Sequence, residues 1–220
     1  MKNRNTYQEV EKMSSSSTAL CYLNNKIAAF IVYELQNLPL TANLITSFSF
    51  FLVLLGILFL FLDFKLLFII FLILSYTFDN VDGIWARLKK QTSEFGKFLD
   101  LFLDKVKDFL IDLTFIIYYY YAVQEYVTNP RILIISVSLY LICKALFYMA
   151  RDFNPRPNTK KDKIKILAYG GAEKFIIVYT LLTFSFGFFL VYIIGYFFLY
   201  FINIFIRLHK TSLDLVKSKR

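Results

Sequence analysis

The stretch from Leu40 to Phe78, "LTANLITSFSFFLVLLGILFLFLDFKLLFIIFLILSYTF", decides the fold. It consists of two apolar runs separated only by a short turn, which Asp63 and Lys65 mark. An α-helix needs about 20 apolar residues to cross a bilayer. The whole chain of 220 residues is 58% hydrophobic and 19% charged, which is more apolar than a soluble domain of this size. The sequence therefore predicts an all-α integral membrane protein.

Further apolar runs follow along the chain, and together they predict a bundle of six transmembrane helices. The domain that contains them extends over 39–206 and begins at Pro39, which breaks the chain before the first span. The predicted spans are 40–62, 66–78, 109–123, 131–150, 172–188 and 189–206.

Three polar or mixed segments flank this domain. Residues 1–18 are polar and contain the run Ser14–Ser17, which is typical of a disordered tail. Residues 19–38 have mixed polarity, which predicts an amphipathic helix that lies at the membrane interface. Residues 207–220 form a basic tail.

Lysine and arginine are distributed unevenly over the predicted loops. The formal net charge is +9, with six basic residues in 151–165 and five in 207–220, whereas the opposite side has Lys65 and Arg131. Basic loops stay in the cytoplasm, so we expect a multi-pass protein with both termini cytoplasmic. Anionic lipid accounts for this charge, and nucleic acid is not an expected partner.

An acidic segment, "DNVDGIWARLKKQTSEFGKFLDLFLDKVKD", occupies residues 79–108 between the second and third predicted spans. On helical geometry, one face of the first helix carries Asp79, Asp82, Gly83 and Ala86, which lie at i, i+3, i+4 and i+7. One face of the next helix carries Gly96, Asp100 and Asp104, each four residues apart. Taken singly, each aspartate could belong to a solvated loop or begin a helix favourably.

Four carboxylates that face a common point require a compensating charge, because like charges at short range disfavour ionisation. An all-oxygen ligand set favours Mg²⁺ or Mn²⁺, and such ions commonly bridge protein carboxylates to substrate phosphates. Arg87 would add a planar fork of donors for phosphate oxygens. The segment therefore predicts a cytoplasmic site for a phosphate-bearing substrate at the membrane surface.

The spacing of these residues resembles the signature of the CDP-alcohol phosphotransferase family. Eight positions match: Asp79, Asp82, Gly83, Ala86, Arg87, Gly96, Asp100 and Asp104. The segment "LTANLIT" is similar to the family's Thr-Pro-Asn-x-x-Thr motif, with Ala42 where proline is usual. The six predicted spans also agree with this family.

The resemblance implies a phospholipid-synthesis enzyme that transfers a phosphoalkyl group from a CDP-alcohol to an acceptor hydroxyl and releases CMP. It implies two metal ions, Mg²⁺ or Mn²⁺, bound by Asp79, Asp82, Asp100 and Asp104, with Asp104 also the general base. It places the cytidine and diphosphate near Gly83, Ala86, Arg87 and Gly96. It further implies a homodimer.

The substrates are less defined by the sequence. The short chain favours CDP-diacylglycerol as the donor and a small polar alcohol as the acceptor. Basic residues near the site favour a phosphorylated or acidic acceptor, and Arg151, at the end of the fourth span, is a candidate to bind it. Anchoring to anionic lipid alone would explain most of the lysines in the same basic loop.

Deeper in the predicted spans, three further charged residues have structural explanations. Asp108 and Asp112 continue the series on the third span but rotate away from the metal face, because each step of four residues drifts by about 40°. A carboxylate in hydrocarbon is costly, so we expect Lys144 in the fourth span to pair with one of them.

Two other functions compete with phosphotransfer. A membrane prenyltransferase also uses aspartate-rich, Mg²⁺-binding segments, but it needs a second acidic cluster. A divalent-cation transporter, which is not an enzyme, would hold acids near the midplane of the membrane. The acids here lie at one end of the spans, and the glycine and arginine spacing has no role in ion passage.

Overall fold

The computed structural model of the chain describes residues 6–13, 19–120, 130–153 and 179–185, with a few further positions between 187 and 205. Regular secondary structure in these residues is entirely α-helical. The helices are α1 (Tyr7–Lys12), α2 (Ala19–Leu35), α3 (Ala42–Phe61), α4 (Lys65–Leu88), α5 (Glu94–Tyr118), α6 (Pro130–Phe153) and α7 (Tyr179–Phe184).

The chain divides into two compact units, which we describe separately. The first unit comprises Met1–Phe115 and Leu167–Phe184, and the second comprises Ile116–Ile166 and Ser185–Arg220. The acidic segment lies wholly within the first unit.

Helices α3 and α4 form an antiparallel hairpin at the centre of the first unit. Thr41 caps α3, because its side chain accepts a hydrogen bond from the backbone N–H of Leu44. The turn between the helices contains Asp63, whose φ is 64°. Within the described residues, these two helices are long and apolar enough to cross a membrane, as predicted for the first two spans. The full count of six stays a prediction.

Gly56 allows α3 and α4 to pack closely. A Cβ atom at this position would lie 3.3 Å from the Cβ of Phe71 and 3.4 Å from the backbone oxygen of Phe68. Nearby, the rings of Phe59 and Phe71 stack with their centroids 5.3 Å apart. The hairpin therefore depends on a small residue at the centre of α3.

A buried apolar core joins the first four helices. Its members are Val10, Ala28, Ala29, Val32, Ala42, Ile45, Val81, Ile84 and Trp85. The Trp85 indole N–H donates to the backbone oxygen of Leu40 at 3.1 Å. This packing fixes the part of α4 that carries the first two aspartates of the acidic segment.

Helix α2 contacts α4 through polar as well as apolar groups. The Thr77 hydroxyl donates to the Asn24 side-chain oxygen at 2.8 Å, and both residues are buried. The opposite side of α2 exposes Tyr22, Leu23, Ile27 and Phe30. A helix is present within 19–38, and its predicted location at the membrane interface stays a prediction.

Helix α1 lies within the segment predicted as a disordered tail. It begins with a capping box formed by Thr6 and Glu9, and Val10 is fully buried in the core. Composition alone did not indicate this short helix, because Val10 is its one fully buried residue. Residues 1–5 and 14–18 lie outside the described part of the chain.

Helix α5 carries both the second half of the acidic segment and residues 109–118 of the third predicted span. Ser93 caps it by accepting a hydrogen bond from the N–H of Gly96 at 2.9 Å. Further along, the Phe115 ring packs edge-on against Phe68, with centroids 5.7 Å apart. Asp112 is buried and accepts a hydrogen bond from the Tyr179 hydroxyl at 3.3 Å.

In the second unit, α6 covers the fourth predicted span and buries Tyr140, Cys143 and Lys144. About half of the fifth and sixth predicted spans and all of the basic tail lie outside the described residues. The predicted pairing of Lys144 with an acid of the third span stays a prediction.

We expect Gly56→Leu to destabilise the hairpin by about 1–3 kcal/mol, because added atoms would overlap Phe71 and the α4 backbone. Thermal unfolding of the detergent-solubilised protein measures this effect. The control is Ser47→Leu, which also introduces a leucine into α3 but at an exposed position. An equal stability of the two variants would show that Gly56 does not set the packing distance.

Candidate metal centre

The first half of the candidate site lies in the last three turns of α4. Asp79 and Asp82 are three residues apart and therefore share a helix face. Asp82 is only 6% exposed, whereas the Asp79 side chain is partly accessible. The helix continues to Leu88, so it also carries Gly83, Ala86 and Arg87.

The second half of the site lies in the first turns of α5. One carboxylate oxygen from each of Asp79, Asp82 and Asp100 lies within 4.8 Å of the other two. Three oxygens at this spacing are the hard donors that Mg²⁺ and Mn²⁺ prefer, so these residues fit a divalent cation. Three of the four predicted metal ligands thus meet in the structure.

Asp104, the fourth predicted ligand, lies beside this group and is joined to it through a lysine. Its side chain is 47% exposed, and its Oδ1 lies 2.8 Å from the Lys107 ammonium. The same ammonium lies 2.5 Å from Oδ1 of Asp79. Asp104 therefore faces solvent at the edge of the cluster while remaining tied to one of its members.

Lys107 contributes to this site, although its position was not predicted from the sequence. Its side chain is almost fully buried, and its ammonium also lies 3.5 Å from the Ser49 hydroxyl on α3. A signal was present, since Lys107 follows Asp100 by seven residues and Asp104 by three and so shares their helix face. A lysine among acids on a helix is ordinarily a solvated surface residue. The burial of Lys107 was therefore not expected from the sequence.

Thr46 on α3 holds the most buried of the three clustered aspartates. Its hydroxyl lies 2.5 Å from Oδ2 of Asp82 and 3.1 Å from the backbone oxygen of Ala42. A hydroxyl has one proton, and the shorter contact to a charged acceptor is the stronger one. Thr46 therefore donates to Asp82 and fixes the orientation of that carboxylate. Thr46 belongs to the "LTANLIT" motif, but nothing in that motif indicated this role.

Arg87 is exposed and held in place by the N-terminal segment. Its Nε donates to the backbone oxygen of Met13 at 2.8 Å. The guanidinium lies over Gly83, where a Cβ atom would be 3.5 Å from each terminal nitrogen. Because the Arg87 Nε is held by this hydrogen bond, the orientation of its two terminal nitrogens beside the acidic site is fixed.

Gly96 and Ala86, the other predicted donor-binding residues, have different surroundings. A Cβ atom at Gly96 would lie 3.1 Å from both the Asn43 side-chain oxygen and the Ser93 hydroxyl, so α5 begins close to α3. Ala86 is partly buried against the apolar core. Arg151, the predicted acceptor-binding residue, lies in the last turn of α6, and its side chain is outside the described residues.

We expect Thr46→Val to weaken Mn²⁺ binding roughly tenfold, because a hydrogen bond to a charged group contributes about 1.5–3 kcal/mol. Thr46→Ser keeps the hydroxyl and should bind Mn²⁺ as the unchanged protein does. Calorimetric titration of Mn²⁺ into the solubilised protein provides the measurement. Equal affinities for the valine and serine variants would show that this hydrogen bond does not organise Asp82.

Comparison with known proteins agrees with the motif and with this geometry. The chain is 44% identical over 68 residues to an uncharacterized protein of Aquifex aeolicus (strain VF5), a match that covers 31% of this chain and 35% of that protein. The family model described as CDP-alcohol phosphatidyltransferase matches residues 39–205, which include all of the clustered aspartates. That family consists of metal-dependent membrane transferases of phospholipid synthesis, which act on a CDP-alcohol donor and an alcohol acceptor. The chain belongs to the CDP-alcohol phosphatidyltransferase family.

Proposed function

We propose that the protein transfers a phosphatidyl group from CDP-diacylglycerol to the hydroxyl of a small polar alcohol and releases CMP. One observation carries this proposal: Asp79, Asp82 and Asp100 converge to within 4.8 Å in the family-matched region. The arrangement fits a hard divalent cation, and such cations are commonly bound jointly by protein carboxylates and substrate phosphates.

One divalent cation would be held by Asp79, Asp82 and Asp100. Asp104 would contribute to binding a second cation. A bound cation supplies charge stabilisation for the diphosphate and for the leaving CMP. Thr46 keeps Asp82 oriented for this role through its 2.5 Å hydrogen bond. The Thr46 hydroxyl thus orients the Asp82 carboxylate before the substrate binds.

Asp104 is the residue we assign as general base, because its carboxylate is half exposed at the edge of the cluster. The acceptor oxygen attacks the phosphorus that bears the diacylglycerol, and the bond from this phosphorus to the oxygen of CMP breaks. The electron pair of that bond leaves with CMP, and the hydroxyl proton passes to Asp104. General-base catalysis of this kind contributes about 10²–10⁴ in rate.

The donor would lie along α4 and the start of α5. Arg87, held through its Nε by Met13, would direct its terminal nitrogens to phosphate oxygens. Gly83 and Gly96 would leave room for the nucleotide. Ala86, which packs against the apolar core, would lie on the other side of the nucleotide. Arg151 would bind a phosphorylated or acidic acceptor.

The membrane arrangement forms part of the same proposal. Six spans would place both termini and the site on the cytoplasmic side, where a soluble acceptor is available. A homodimer is the proposed assembly. The apolar hairpin of α3 and α4 supports insertion in the membrane.

The competing functions have less support. A prenyltransferase requires a second acidic cluster, whereas the described residues contain one group of acids arranged to bind a metal. Ion transport gives no role to Arg87, which is anchored beside the cluster.

Release of CMP from CDP-diacylglycerol tests the proposal directly. The purified protein should release CMP in the presence of Mg²⁺ or Mn²⁺ with at least one of glycerol phosphate, inositol phosphate or serine. Chelation with EDTA should abolish the release, and added metal should restore it. Absence of metal-dependent CMP release with every acceptor and with other CDP-alcohols would exclude the proposed function.

A second prediction separates the roles of two aspartates. Asp104→Asn should lower the rate of transfer at least a hundredfold while keeping Mn²⁺ affinity within about fivefold. Asp82→Asn should lose both Mn²⁺ binding and transfer, because it removes a buried ligand. Asp63→Asn, at an exposed turn, is the control that should change neither. Loss of Mn²⁺ binding in Asp104→Asn would make Asp104 chiefly a metal ligand.

A further inference from the structure

Lys107 forms ion pairs with Asp79 and Asp104 at the acidic site, and none of the roles proposed above uses it. It rests on α5 with 3% of its surface exposed. A charged lysine at such a position is costly unless its partners compensate for lost hydration. Its surroundings therefore require an explanation.

The partners of Lys107 come from three helices. Its ammonium contacts Asp79 on α4 at 2.5 Å and Asp104 on α5 at 2.8 Å, and it lies 3.5 Å from the Ser49 hydroxyl on α3. Asp79 is also one of the three clustered aspartates. The Lys107 ammonium thus forms ion pairs at the same time with Asp79, a proposed metal ligand, and with Asp104, the proposed base.

Two consequences follow from this geometry. The ammonium fixes the distance between Asp79 and Asp104, which a pair of mutually repelling carboxylates would otherwise increase. It also places a positive charge a few ångströms from the position of a cation held by Asp79, Asp82 and Asp100. Charges at such distances interact by several kcal/mol even when the effective dielectric constant is about 20.

We propose that Lys107 is a positioning residue that holds Asp104 beside Asp79 and limits the affinity of the aspartate cluster for divalent cations. The inference rests on the proposed function for the role of Asp104, but its effect on cation affinity does not depend on catalysis. Limited affinity keeps the cation exchangeable, and a fixed Asp104 keeps the base at the edge of the site.

Titration of Mn²⁺ alone into the full-length, detergent-solubilised protein tests this inference. Lys107→Met removes the ammonium and should tighten Mn²⁺ binding roughly tenfold or more. Lys107→Arg keeps the charge and should bind Mn²⁺ within about threefold of the unchanged protein. Lys97→Met is the matched control, because Lys97 is an exposed lysine on the same helix and its loss should leave the affinity unchanged.

Transfer kinetics provide the second readout. Lys107→Met should lower kcat about tenfold or more with little change in the KM for CDP-diacylglycerol, and Lys107→Arg should restore part of kcat. A residue that only supported folding would reduce Mn²⁺ affinity, kcat and stability together.

The inference is overturned if Lys107→Met binds Mn²⁺ with unchanged or lower affinity. Lys107→Gln, which is shorter and neutral, serves as a second variant, and failure of both neutral variants to fold would assign Lys107 to stability alone and also overturn it. The proposed function is tested separately, since CMP release by the unchanged protein does not depend on these outcomes.

Discussion

Carboxylates that lie a few ångströms apart repel one another strongly when water is partly excluded, and the junction of α3, α4 and α5 contains several. Asp79, Asp82 and Asp100 converge within 4.8 Å, and Asp104 lies beside them. Two groups from neighbouring helices offset this repulsion. The Thr46 hydroxyl donates to Asp82, and the Lys107 ammonium bridges Asp79 and Asp104. The local packing serves to bring these groups into contact.

Helix α3 supplies the polar surface on which this junction is built. It is almost wholly apolar, yet it buries Thr46 and Ser49 on the side that meets α4 and α5. The Ser49 hydroxyl donates to the Thr46 backbone oxygen at 2.9 Å, and the Ser75 hydroxyl on α4 donates to the Ser49 backbone oxygen at 2.7 Å. Buried polar groups in a membrane must find such partners within the protein. Small hydroxyl side chains therefore connect the hairpin to the acidic site without widening the gap between the helices.

Much of the site could be predicted from the sequence, because helical periodicity alone places Asp79 with Asp82 and Asp100 with Asp104. The spacing of glycine, alanine and arginine between them identified the family, which the family match confirmed. Lys107 and Thr46 were missed for a physical reason. Their roles depend on the separation and rotation of neighbouring helices, which are set by contacts such as Gly56 against Phe71. The spacing of residues along the sequence does not determine the distances between helices.

The N-terminal region illustrates the same limit. The polar composition of residues 1–18 predicted disorder, whereas α1 places Val10 in the core and the Met13 carbonyl against Arg87. A six-residue helix has little intrinsic stability and depends on tertiary contacts. Such contacts are invisible in composition, although the Thr6 and Glu9 capping pair is a local signal of a helix start.

The central claim is that the clustered aspartates hold the cation used in phosphoryl transfer. An anomalous-difference map from crystals of the protein soaked in Mn²⁺ tests it most directly. The account predicts a peak roughly 2.1 Å from oxygens of Asp79, Asp82 and Asp100, and no such peak in crystals of Asp82→Asn. A map with no peak among these three residues, or with the same peak in the variant, would contradict it.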